Sequence, residues 1–180
     1  MSPASLVGYT VDATDSDASA YLEWMTTRVD WFDDSDAPQA NSLAPTANVI
    51  VEDDDGRILM IRQTGSGNYA LPGGAMELGE AITDTAVREA KEETGYDVEI
   101  SGLSGIYTDP AHLVEYTSTG EVRQEFSIVF TGEIVGGAAR LNDEASEIAW
   151  VPSATVDDLP MAGSAKERIG HYLGDSIYLG

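Results

Sequence analysis

Residues Gly73 to Tyr96 read GGAMELGEAITDTAVREAKEETGY, and the meaning of the remaining chain depends on them. A glycine-bearing loop runs into a segment with helical spacing, predicted to span Ile82 to Thr94 and to end at Gly95 as a C-cap. Positions 89, 92 and 93 are three and four residues apart, so the carboxylates of Glu89, Glu92 and Glu93 project from one face. Ile82, Ala86 and Ala90 form a separate face of small apolar residues suited to close packing on a sheet. Three like charges side by side repel unless cations sit among them. Hard oxygen donors of this kind suit Mg²⁺ or Mn²⁺, which commonly bind substrate phosphates as well. Arg88 is spaced to pair with Glu92 one turn on, or to reach back to Glu80. A solvated acidic helix face would explain the charges, but not the glycines and arginine at fixed offsets.

Working outward, TANVIVEDDDGRILMIRQ gives two strand-like runs around Asp54-Asp55-Gly56, a hairpin signal. Gly65 to Asn68 reads as a loop. Val98 to Tyr107, Gln124 to Val135 and Glu147 to Val151 read as strands, and Gly163 to Leu173 as a closing helix. On the N-terminal side, Tyr21, Met25, Val29 and Phe32 fall at three- and four-residue spacing, predicting a helix over Asp15 to Phe32. Asp33 to Pro45 reads as a polar connector. The expected division is a helical extension and connector over 1–45 and a folded domain over 46–180. Strands and helices mix without a strict βαβ repeat, so the expected class is α/β with a mixed sheet covered by helices. Two decoys are set aside. VEDDDGRILMIR would put Val51 and Arg62 at calcium-ligand positions. GSGNYA imitates a dinucleotide fingerprint, but Pro72 follows and no helix opens there.

The segment from Gly74 to Tyr96 resembles the signature of the Nudix hydrolases. That signature is Gly, five residues, Glu, seven residues, then Arg-Glu-U-x-Glu-Glu-x-Gly-U, with U usually bulky and apolar. Gly74, Glu80, Arg88, Glu89, Glu92, Glu93 and Gly95 fill the seven fixed positions. Ala90 and Tyr96 depart at the two U positions, as packing variants. The resemblance extends over roughly Thr46 to Leu173 and implies an α/β/α sandwich. It also implies hydrolysis of a phosphoanhydride in a nucleoside diphosphate linked to another group. An ADP-ribose-like nucleotide sugar and a nucleoside triphosphate both fit. By the same resemblance, Glu89, Glu92 and Glu93 bind Mg²⁺ or Mn²⁺, with a backbone carbonyl of Gly73 or Gly74 helping and Glu80 joining through water. Glu80 equally suits a helix N-terminus as a plain charge. Arg88 orients a box glutamate. Glu93 is the first candidate base for the attacking water and Glu144 the second. His112 is a base in principle, though a surface histidine is the plainer reading. Arg123 and Tyr69 are candidate substrate contacts, Arg123 equally a surface ion pair; Tyr107 and Tyr116 share the stacking option, with packing the plainer role for all three tyrosines. The alternative to an enzyme is a catalytically weak nucleotide-sensing module of the same fold.

Composition bounds these expectations. The 180 residues carry nine Lys+Arg and 32 Asp+Glu, a formal charge of −23. Bulk nucleic-acid binding and docking on anionic membranes are disfavoured. There is no cysteine, which removes thiolate metal sites and a cysteine nucleophile. The N-terminus lacks a basic and apolar leader pattern and no apolar run is long enough to span a bilayer, so the expectation is a cytoplasmic protein. Lys91 and Lys166 are the sole lysines. Such a polyanion repels itself in dilute buffer, and a salt-rich cell interior is the expected setting. The N-terminal helix is left open between covering the sheet and forming a homodimer contact.

Overall fold

The computed structural model describes residues 28–174 and 176–180. Its strands are β1 (Arg28–Phe32), β2 (Ser42–Leu43), β3 (Thr46–Val51), β4 (Arg57–Gln63), β5 (Tyr69–Ala70), β6 (Gly73–Ala75), β7 (Tyr96–Tyr107), β8 (His112–Tyr116), β9 (Glu121–Gln124), β10 (Ser127–Gly137), β11 (Ala145–Pro152) and β12 (Tyr178–Leu179). Helix α1 covers Ile82–Thr94, α2 covers Gly163–Leu173, and a 3-10 turn occupies Ser153–Asp158.

Strand β3 organises the molecule. Its odd residues Ala47, Val49 and Val51 pack with Leu59, Val98 and Phe130 against Ala86 and Ala90 of α1. Its even residue Ile50 points the other way, with Ile58, Met60, Tyr107 and Val129 against Ile169 of α2. A strand buried on both faces reads as a continuous apolar run, which is what TANVIV is, apart from Thr46 and Asn48. The result is helix, sheet, helix, and the expected sandwich is observed. The central sheet runs β12-β7-β10-β3-β6. Within it β10 is parallel to β3 and antiparallel to β7, so the sheet is mixed as expected. Two smaller sheets run β1-β8-β9-β2 and β11-β4-β5.

Helix α1 occupies the predicted residues and closes on Gly95, which sits at φ 79° and donates to Lys91 O. Helix α2 also matches its predicted span.

Three expectations are corrected. Residues 28–32 form β1, antiparallel to β8, whereas the expected helix included them; the rest of that helix, 15–27, lies outside the described residues. Val29, Trp31 and Phe32 favour extended backbone, and three- or four-residue spacing over so short a span does not exclude it. The turn at Asp53–Gly56 forms, with Gly56 N–H donating to Asp53 O at 2.9 Å. Beyond the single bridge Glu52–Ile58, however, β3 and β4 part into different sheets, so it is not an extended hairpin. Both strands are apolar on both faces, and each finds its partners elsewhere. The polar connector also carries β2, paired to β9.

Candidate active site

Two chain segments build the site. The first is β6, hydrogen-bonded to β3 with Gly73 opposite Asn48 and Gly74 opposite Ala47. The second is α1, packed across these strands through Ala86 and Ala90, both fully buried. The small side chains let the helix approach until its glutamates meet the glycine loop. A Cβ on Gly74 would stand 2.5 Å from Glu89 Oε1. Gly73 has φ 153°, and a Cβ there would collide with Ala47 O and the side chain of Asn48. Gly73 requires glycine because backbone closes on it, whereas a side chain at Gly74 would displace the Glu89 carboxylate.

Glu93 is the most enclosed acid among the described residues, 7 % exposed. The amide of Gly73 donates to its Oε2 at 2.8 Å. Burial pushes its carboxyl up to about 8, against the pull of that hydrogen bond, and the charges of Glu89, Glu144 and Glu92 push the same way. Glu89 is likewise raised, first by burial, with Arg88 opposing. Glu92 is more exposed and accepts from Arg88 Nη1 at 3.0 Å. Arg88 is the hub. It donates from Nε to Glu80 at 2.5 Å, from Nη1 to Glu89 at 2.9 Å, and from Nη2 to the carbonyl of Ala75 at 3.1 Å. Glu80 accepts from Arg88, the Glu77 amide and Thr85 Oγ1; Arg88 first, then the Glu77 amide, hold it down at about 2. Both sequence options for Arg88, Glu92 and Glu80, are therefore realised together. Glu144 sits in the exposed loop before β11, and its charge is felt by Glu89 and Glu93.

Among the described residues no three acidic or histidine side chains converge on one ready-made ligating point. The donor set nonetheless fits a hard divalent cation. It is all carboxylate and backbone oxygen, and Glu93 is a buried acid whose charged form lacks a countercharge within hydrogen-bond reach. Such an ion keeps several waters and needs no all-protein cage.

Beside Gly73 and Gly74 opens a cavity of about 520 Å³, in the range of small-molecule pockets. Tyr69 and Arg123, both expected to contact substrate, line it. Tyr69 donates to Glu147 at 2.8 Å and faces the Arg62 guanidinium at 5.7 Å. Arg123 donates to Glu121 from Nε at 2.8 Å and lies 4.6 Å over the Tyr116 ring, so the ion-pair option holds within the cavity wall. Tyr107 is a buried core residue.

The surface reading of His112 is overturned. It lies in β8, 4 % exposed, stacked on Phe32 at 4.1 Å and hydrogen-bonded to Glu125. Glu125 in turn pairs with Arg168 of α2, which donates to Asn48 Oδ1 at 3.0 Å. All four line the cavity, and of them only His112 was singled out from sequence, as a base in principle. One signal was present: Asn48 interrupts an otherwise apolar strand, and a buried polar side chain requires partners.

A NUDIX domain family model matches residues 42–172. A MutT-like protein of Streptomyces ambofaciens is 34 % identical over 122 residues, 68 % of this chain and 71 % of that protein. An ADP-ribose pyrophosphatase of Methanocaldococcus jannaschii is 34 % identical over 123 residues, 67 % of this chain and 66 % of its own length. A putative 8-oxo-dGTP diphosphatase of Bacillus subtilis is 33 % identical over 127 residues, 70 % of this chain and 77 % of its own. Among solved structures, a NUDIX hydrolase of Nitrosomonas europaea shares the fold with a TM-score of 0.62 at 23 % identity, covering 76 % of this chain and 93 % of that one. With its glutamates, arginine and glycines gathered on α1 and β6, and with these likenesses across most of its length, the chain belongs to the NUDIX family of hydrolases.

Proposed function

We propose that this protein is a divalent-metal-dependent pyrophosphohydrolase that cleaves a phosphoanhydride in a nucleoside diphosphate linked to another group. The substrate is an ADP-ribose-like nucleotide sugar or a nucleoside triphosphate. One observation carries the reading: a buried glutamate, crowded by like charges, is tied to the amide of Gly73, and Gly73 lines a cavity large enough for a nucleotide. The names of two relatives, an ADP-ribose pyrophosphatase and a putative 8-oxo-dGTP diphosphatase, support both substrate options.

Glu89, Glu92 and Glu93 would hold Mg²⁺ or Mn²⁺, with a carbonyl of Gly73 or Gly74. The bound ion supplies neutralisation of the diphosphate and a more acidic water. Arg88 fixes the directions of Glu89 and Glu92 while Glu80 holds Arg88 from the other side. Glu80 thus acts on the cluster through Arg88. Glu93 is the assigned base, because its carboxylate is buried and fixed by the Gly73 amide. Glu144, on an exposed loop, is the second candidate. Tyr69 and Arg123 in the cavity wall would contact the nucleotide.

The test is incubation with nucleotide sugars, dinucleotides and (deoxy)nucleoside triphosphates in Mg²⁺, with chromatographic identification of products. A nucleotide sugar should yield a nucleoside monophosphate and a sugar phosphate. No cleavage of any compound at low and high salt would overturn the enzymatic reading in favour of a nucleotide sensor.

A further inference from the structure

A chain of charge −23 that holds a polyphosphate needs cations where the phosphates lie. Two arginines line the cavity, Arg123 and Arg168. Arg123 has its fork engaged: Nε and Nη2 both reach Glu121, at 2.8 and 3.1 Å, and Nη1 donates to Tyr116 Oη at 3.4 Å. Arg168 is different. Nη1 donates once, to Asn48, and Nη2 once, to Glu125, so each amino group of this cavity-lining arginine keeps a second N–H, while its enclosed Nε–H has no acceptor. Glu125 is moreover shared with His112, so it does not belong to Arg168 alone.

The location matters as much as the spare donor. Asn48, which receives Arg168, stands opposite Gly73 in the β3–β6 register. Gly73 is so close to it that a Cβ would strike the Asn48 side chain, and the Gly73 amide holds Glu93. Arg168 and Glu93 are therefore joined through Asn48 and Gly73. Burying a guanidinium with an unsatisfied donor costs stability that a well-packed apolar pair would not.

Resting on the hydrolase reading above, we propose that Arg168 binds a phosphate oxygen of the nucleotide, with Glu125 and Asn48 as the positioning residues that aim it. Its planar fork is suited to that oxygen geometry. Helix α2, which delivers it, then belongs to the substrate site as well as to the core.

The test compares binding of a nucleoside with that of its α,β-methylene diphosphate by calorimetry, in Mg²⁺, using adenosine and guanosine pairs. Wild type should bind the diphosphate analogue more tightly. In Arg168→Gln that phosphate increment should fall by about 10- to 100-fold, with nucleoside affinity unchanged. Arg168→Lys, which keeps the charge but not the fork, should retain part of it. No increment in wild type overturns the assignment. So does an intact increment in Arg168→Gln, or an equal loss for nucleoside and analogue. Should Arg168→Gln melt without a cooperative transition, Arg168→Lys decides: an increment equal to wild type overturns the fork contact. Turnover by wild type is measured separately. Absence of turnover with an Arg168-dependent increment intact would sink the hydrolase reading and leave the phosphate contact standing.

Discussion

Glu93 carries opposing demands. Its burial makes the charged form costly, yet its neighbours on α1 are acids too. Replacing it with Gln preserves shape and removes the charge. Glu93→Gln should lower kcat by about a hundredfold or more while the cooperative melt persists, checked by steady-state kinetics and circular dichroism. Full activity in that variant would remove Glu93 from the site. Glu125 shows the reverse balance. Burial pushes its carboxyl up, but the hydrogen bond from His112 and the nearby charges of Arg168 and His112 outweigh it, so its folded value lies below the ordinary 4.5. A depressed value means stability that is present above pH 4.5 and is lost as pH falls through the folded value. Glu125→Gln should melt lower than wild type at pH 7, and the gap should narrow between pH 4.5 and 3. A gap that stays constant over that range would show that Glu125 does not titrate against its partners.

At the scale of elements, α1 and β6 must lie close enough for carboxylates to meet glycines. Ala86 and Ala90 set that distance, since both are fully buried against β3. Ala90→Leu would overpack the contact. It should cost about 1–3 kcal/mol in denaturant unfolding and should also weaken Mg²⁺ affinity, because the helix that bears Glu89 and Glu93 is pushed outward. Unchanged metal affinity would mean that the glutamates do not depend on this packing. Periodicity located α1 from sequence because Ile82, Ala86 and Ala90 form one apolar face. It failed at β1, where five residues are too few to separate the two periods, and at the β3–β4 turn, where local chemistry set the turn but not the partners of the strands.

Across the whole molecule, 32 acidic residues face nine basic ones. The described ion pairs gather chiefly at a few arginines, Arg57, Arg88, Arg123 and Arg168 among them, leaving many carboxylates to repel. Screening shortens from about 10 Å at 0.1 M salt to about 3 Å at 1 M. The melting midpoint should therefore rise between 0.1 and 2 M KCl, as a protein adapted to a salt-rich interior would show. An unchanged midpoint would mean that the charge is merely solubilising. Among the described residues no helix is long and apolar enough to cross a membrane.

The gathering of Glu80, Arg88, Glu89, Glu92 and Glu93 beside Gly73 and Gly74 was legible in the chain alone, because they are neighbours on one loop and one helix, where spacing equals geometry. The α/β class with a mixed sheet was legible because apolar strands and helices alternate without a strict βαβ repeat, and the sandwich followed from the resemblance of the signature. The far wall of the cavity was not. His112, Glu125, Arg168 and Asn48 come from β8, the turn after β9, α2 and β3, separated by up to 120 positions. Their meeting follows from how the sheets and α2 close over one another, a long-range packing outcome that no local pattern records.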